Sequence, residues 1–358
     1  MSSSLNSPTF TAQNSTIVRD FRHAGFVLQR AFHRSIARPL MAHIGMPLLA
    51  NLAPRWTVQT LARRFITPPR IAHTPPELRT LERATFLPIN TQQGTIATWR
   101  FKPTPSTTTS SSASPPVIIV SHGWGGRGAQ FRAFVPALLE AGYEVWLFDH
   151  IAHGRSAGDE APITEFARGL GVVADRALDE QRTIAGFIGH SLGCAAIGLV
   201  LSRHPQLRSL DVAKRLRVVM IAPPSSMIRY SRFFARAIGL PERLRAAMQW
   251  RVERKTGLNW DALEMPHAVA GLHTPALVIH DQHDTDVRID SGLALARAWP
   301  GARFMRTVGL GHTRVLRDAH VVACGTGFLA DQMSFTPPPK QDEWSAFAES
   351  LFSVSPIY

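Results

Sequence analysis

Cysteine is nearly missing from this chain: there are two in 358 residues, Cys194 and Cys324. Two cysteines without a spaced pattern argue against a disulfide framework or a zinc site, and they leave the redox compartment open. Long apolar runs are missing too. No stretch of about 18 uncharged apolar residues occurs, so no transmembrane helix is expected. Lysine is scarce, and the arginines are spread along the chain rather than clustered with aromatics. The net charge of +13 therefore reads poorly as a nucleic-acid surface and better as an anionic-membrane or solvated basic face. Acids are missing from the start of the chain. Asp20 is the only one before Glu77, whereas Arg19, Arg22, Arg30, Arg34, Arg38, Arg55, Arg63, Arg64 and Arg70 all fall there.

What is present is an ordinary globular profile, 45% hydrophobic and 18% charged. Residues 1–80 are expected to form a basic N-terminal helical arm. Val18, Phe21, Leu28, Phe32 and Ile36 recur near helical spacing over 17–38, and the arm is expected to lie on the domain or on an anionic membrane surface. An organelle transit peptide is the competing reading of the same composition. Residues 103–116 (PTPSTTTSSSASPP) read as a low-complexity surface loop.

From residue 81 onward apolar strand-like runs alternate with helical ones. Runs at 83–90, 95–101, 117–120, 144–149, 183–188, 217–222, 275–279 and 302–308 predict an α/β fold with a mostly parallel central sheet flanked by helices. The alternation breaks over 225–272, which is rich in aromatics and arginine and reads as several short helices. An insertion after a strand's C-terminal end sits over the ligand crevice of an open α/β sheet, so this stretch is expected to be a helical lid. The expected organisation is thus the arm (1–80), a core (81–224 and 273–333), the lid (225–272) and a C-terminal tail (334–358).

Gly189-His190-Ser191-Leu192-Gly193 is the motif around which the chemistry gathers. It reads G-x-S-x-G, and it lies between a β-branched run and a helix of small residues. A serine on that sharp turn is exposed as a nucleophile. An unassisted hydroxyl is weak, so it needs a histidine base and a carboxylate to orient the base. Ser191, Asp284 and His312 occur in that order, each just past an expected strand. Asp281 and Asp286 compete with Asp284; His122, His153, His280 and His283 compete with His312. Cys194 reads as a small residue packed on the sheet.

HGWGG at 122–126, DHIAHGRS at 149–156, GHSLG at 189–193, HDQHD at 280–284 and GLGH at 309–312 together resemble the α/β-hydrolase superfamily, in particular bacterial serine hydrolases of esterase type. The resemblance spans roughly residues 83–333. It implies an oxyanion hole made by the backbone N–H groups of Leu192 and Trp124. The family usually has glycine where Ala152 stands, and often where Asp281 stands. The expected activity is hydrolysis of a small hydrophobic ester through an acyl-enzyme, without metal or organic cofactor, in the cytoplasm or at a membrane periphery. A thioesterase, lysophospholipase or acyltransferase would use the same residues. An interaction protein on a hydrolase scaffold is the reading of a different class.

Overall fold

The computed structural model describes residues 45–104, 114–212 and 216–331. The expected helix over 17–38, most of the low-complexity segment and the C-terminal tail lie outside the described residues. The first helices are α1 (Met46–Leu52), α2 (Pro54–Ile66) and α3 (Pro75–Leu81). The strands are β1 (Thr85–Thr91), β2 (Gly94–Phe101), β3 (Val117–Ser121), β4 (Glu144–Phe148), β5 (Ile184–His190), β6 (Arg217–Ile221), β7 (Ala276–Asp281) and β8 (Arg303–Thr307). They form one sheet in the order β1-β2-β4-β3-β5-β6-β7-β8. β1 and β2 run antiparallel to their neighbours; β4 through β8 are parallel.

Burial explains the composition of these strands. β3, β4 and β7 are buried at every residue. A parallel strand covered on both faces has no wet side, so it is a continuous apolar run. The edges differ. β1 carries Pro88, which only an edge tolerates, and β8 keeps Arg303 and Arg306 half-exposed.

Crossover helices fill the connections: α4 (Phe134–Glu140), α5 (Ile163–Asp179), α6 (Leu192–Arg203) and α7 (Pro205–Val212). Between β6 and β7 come α8 (Met227–Ile238), α9 (Glu242–Thr256), a short 3-10 turn (Trp260–Leu263) and α10 (Met265–Val269). The chain then closes with α11 (Ile289–Ala298), α12 (Gly311–Arg314) and α13 (Ala319–Leu329). α5 packs with α6, and α4 packs with α13. Phe131, Phe134, Leu138, Val219, Leu277 and Phe328 belong to the core beneath the second pair. None of the described helices is long and apolar enough to cross a membrane.

The strand order contains the feature that locates the site. The chain steps outward from β3 to β4, then returns to the other side of β3 as β5. The connections at the C-terminal ends of β3 and β5 therefore diverge and leave a crevice between them. Residues 122–126 follow β3, and Ser191 follows β5.

The described residues fall in two compact units, 45–58 with 232–247, and 59–231 with 248–331. Residues 59–81, which composition groups with the arm, lie in the same unit as the sheet. Their attachment is polar as well as apolar. Glu77 is buried and accepts from Arg127 Nε at 2.6 Å and from the Thr74 N–H at 2.7 Å. Burial pushes the Glu77 carboxyl up, but these bonds and the Arg127 charge outweigh it, and its pKa is lowered. Removing one partner of such a pair strands the other charge. Glu77→Gln is expected to lose about 3 kcal/mol of stability, read by urea denaturation; an unchanged midpoint would show that the pair contributes nothing.

Candidate active site

β5 ends at His190, and α6 begins at Leu192, so a single residue makes the turn. That residue, Ser191, sits at φ 51° and ψ −123°. This is a strained backbone for a side chain with a Cβ, and it persists only where the surroundings over-determine it. The Ser191 N–H donates to Ile221 O at 2.9 Å, and Ser191 O accepts from the Cys194 N–H at 2.9 Å. The motif's glycines are required by close approach. A Cβ on Gly193 would run into the carbonyl oxygens of Ser121 and His122, and one on Gly189 would sit 2.7 Å from Ile197. Cys194 is fully buried, donates to Ile221 O, and has its thiol pKa raised by burial.

The candidate acids separate by geometry. Asp284 Oδ2 lies 2.7 Å from His312 Nδ1, while its Oδ1 accepts from the N–H groups of Asp286 and Val287 at 2.9 Å each. Burial raises the Asp284 pKa, but the His312 contact and these amides prevail and lower it. Asp281 does different work. It accepts from the Thr307 hydroxyl at 2.8 Å and the Leu310 N–H at 2.9 Å, bracing the loop that carries His312. Asp286 is exposed and reaches Asp284 only through its amide.

The competing histidines separate in the same way. His280 donates from Nε2 to Val287 O at 2.8 Å and stands 3.6 Å from Asp284. His283 is exposed. His122 and His153 lie on the other side of the crevice. The Asp284–His312 contact is made at hydrogen-bond distance; among the described residues no Ser191–His312 hydrogen bond is formed. The link between them runs through His190. Its Nε2 donates to His312 O at 2.8 Å, and the two rings lie 4.6 Å apart. His190, at the variable position of the motif, thus ties the turn at Ser191 to the backbone of His312.

The loop after β3 rests on buried histidines. His122 Nδ1 donates to Gly123 O at 2.8 Å, and its Nε2 accepts from the His150 N–H at 2.9 Å. His153 Nδ1 donates to Ile151 O at 2.9 Å, and its Nε2 accepts from the Gly125 N–H at 3.0 Å. His150 Nε2 meets the Ser121 hydroxyl at 2.9 Å. Ala152 takes φ 64°, which explains why glycine is usual at that place in the resemblance. Arg70 clamps the same loop from residues 59–81, donating to Gly154 O, Ser156 O and Gly158 O. Among the described residues, the N–H groups of Leu192 and Trp124 have no protein acceptor.

Ser191, Leu192 and Trp124 share the wall of one cavity of about 690 Å³, its mouth included. This is within the range of small-molecule sites. α2 contributes Phe65 and Ile66, and the loop before α5 contributes Ala161 and Pro162. Met227, Tyr230, Val252, Thr256, Trp260 and Leu263 come from the helices between β6 and β7. Among the described residues that line it, Tyr230 is the only one with an ionisable side chain. Sequence reasoning missed Phe65, Ile66 and Arg70. Nothing local marks them, because an apolar pair and an arginine within a basic stretch resemble the rest of that stretch. Among the described residues, no group of three His, Cys, Asp or Glu side chains is arranged to hold a metal ion.

A family profile for the alpha/beta hydrolase fold matches residues 116–229. The chain is 28% identical over 219 residues to the protein named "Putative carbamate hydrolase RutD" of Azorhizobium caulinodans, covering 52% of this chain and 80% of that one. The Pyrococcus furiosus esterase Pf2001 superposes with a TM-score of 0.53 at 21% identity, covering 75% of this chain and 100% of that one. A second crystal form of that esterase gives 0.51, covering 98% of its chain. The chain has the α/β-hydrolase fold. At this identity the structural likeness speaks for the fold.

The buried histidines set a pH dependence. Burial pulls His153 down to about 4 and His190 to about 3, and it holds His122 and His150 well below the usual value. In the unfolded chain they take protons near ~6.5. Below that pH the unfolded state binds protons that the folded state refuses. Their contribution is therefore fully present above ~6.5 and drains away toward the folded values. Denaturant titrations are expected to show stability falling steadily between pH 7 and pH 4, to which Asp284 and Asp281 add below the usual carboxylate range; a flat profile would contradict this.

Proposed function

We propose that the chain is a serine hydrolase that cleaves a hydrophobic carboxylic ester through an acyl-enzyme. The Asp284–His312 contact beside the strained turn of Ser191 carries this reading. Ser191 Oγ attacks the ester carbonyl carbon while His312 Nε2 takes its proton. The amides of Leu192 and Trp124 receive the developing oxyanion. Two such fixed donors are worth a few kcal/mol each. Collapse expels the alcohol, protonated by His312. Water, deprotonated by His312, then attacks the acyl-enzyme and frees the acid. Asp284 holds His312 with Nδ1 protonated and stabilises the imidazolium. His312 must draw closer to Ser191 for this, as catalytic contacts commonly do when substrate binds.

The cavity supports a neutral, apolar acyl or alcohol group, since its wall offers no charge to pair with an ionised one. Residues 227–230 and 252–263, within the expected lid, supply much of that wall. The relative from Azorhizobium caulinodans supports a second reading, a carbamate in place of the ester. It needs the same nucleophile but presents a more polar carbonyl.

A fluorophosphonate probe is expected to label the wild type and to leave Ser191→Ala untouched; equal labelling, or none in either, would sink the reading. Asp284→Asn is expected to lower kcat by about 10⁴-fold with the fold retained. Esters of increasing chain length, with matching thioesters and carbamates, decide the substrate class. A preference for short polar carbamates would replace the ester.

A further inference from the structure

Residues 45–58 and 232–247 form a compact unit of their own. The Thr57 hydroxyl donates to Leu49 O at 3.2 Å and Ala53 O at 2.9 Å, tying α1 to α2. Arg243 donates to Asn51 Oδ1 at 2.6 Å, tying the two segments together. Ala50 and Leu244 are buried. Leu48, Leu52 and Trp56 are not: they are 55%, 75% and 59% exposed, and they recur every four residues across α1 and the start of α2. Phe233, in the second segment, is 51% exposed. Scattered apolar exposure is ordinary, but four large exposed side chains in one unit of some thirty residues is a density that suits an interaction surface. The same residues contain Arg55, Arg232, Arg236, Arg243 and Arg245 against one acid, Glu242.

We propose that this unit docks on an anionic phospholipid surface, with Leu48, Leu52, Trp56 and Phe233 entering the boundary between headgroups and acyl chains and the exposed Arg55, Arg232, Arg236 and Arg243 meeting lipid phosphates; Arg245 is buried against Glu242. Short basic amphipathic helices bearing tryptophan and leucine lie in that interface, and their binding sums buried apolar area with attraction to anionic lipid. Charge argues against two other occupants. Residues 1–44 carry Arg19, Arg22, Arg30, Arg34 and Arg38 against Asp20 alone. That segment and a second copy of this unit would both bring more positive charge to a positive face. The inference is independent of the hydrolase reading.

Co-sedimentation of the full chain with vesicles is the test. Vesicles of phosphatidylcholine alone are compared with vesicles containing phosphatidylglycerol. Binding is expected to the anionic vesicles and to weaken as salt rises. The triple variant Leu48→Ser, Leu52→Ser, Trp56→Ser is expected to bind roughly tenfold more weakly or worse. Arg55→Gln with Arg236→Gln is expected to lose roughly tenfold as well, at low salt. Circular dichroism and melting temperature check that each variant folds, and the charge pair serves if the triple variant does not. No binding to anionic vesicles overturns the proposal. So does unchanged binding by the folded variants, including the case where only deletion of residues 1–44 abolishes it. A triple variant that changes oligomeric state without changing vesicle binding also overturns it, and makes the face a contact between copies of the chain.

Discussion

Helix α6 enters the sheet so closely that the chain at Gly193 lies against the carbonyl oxygens of Ser121 and His122. Much follows from that approach. It brings the loop after β3 and the turn after β5 to opposite sides of one crevice. It forces the direction change onto a single residue, Ser191, whose backbone is held in a left-handed conformation by bonds to β6 and to its own helix. The strain is sustained by a buried parallel sheet that cannot shift one strand without disturbing its neighbours.

The polar groups around the crevice divide into two supports. On one side, His122, His150 and His153 are buried, neutral and each engaged with the backbone or a hydroxyl, so they fix a loop without adding charge. On the other side, Asp281 braces the loop after β8, which leaves Asp284 free to meet His312. His190 joins the two sides through the His312 carbonyl. Its depressed pKa has a use: a neutral ring beside His312 does not oppose a positive charge there.

The strands were legible because parallel strands buried on both faces must be unbroken apolar runs, and runs such as VIIV at 117–120 and ALVI at 276–279 have no helical period. The expectation of Ser191, Asp284 and His312 came from their order and from the strand before each, and the Asp284–His312 contact agrees with that order. The choice of Asp284 over Asp281 was less so. Three residues apart, one at the end of β7 and one in the loop after it, both are buried carboxylates, and only their orientation tells which one braces the His312 loop and which one reaches the imidazole. That 59–81 pack with the sheet was one of two readings of the arm, and which residues make the contacts was not legible. Composition groups those residues with an acid-poor N-terminal zone, whereas Glu77, Arg70 and Phe65 take their roles from distant partners, Arg127 for Glu77, Gly158 for Arg70 and Trp260 for Phe65.

The sequence by itself determined which elements form and which side chains are candidates for chemistry, because hydrophobic period and residue type are local properties. Tertiary structure alone decided which carboxylate meets His312, that His190 grips its backbone, and that a cavity free of charged walls opens beside Ser191. Each depends on the direction in which a side chain points once the sheet order has set its neighbours. That order, with the return of β5 across β3, is written in no single stretch of residues.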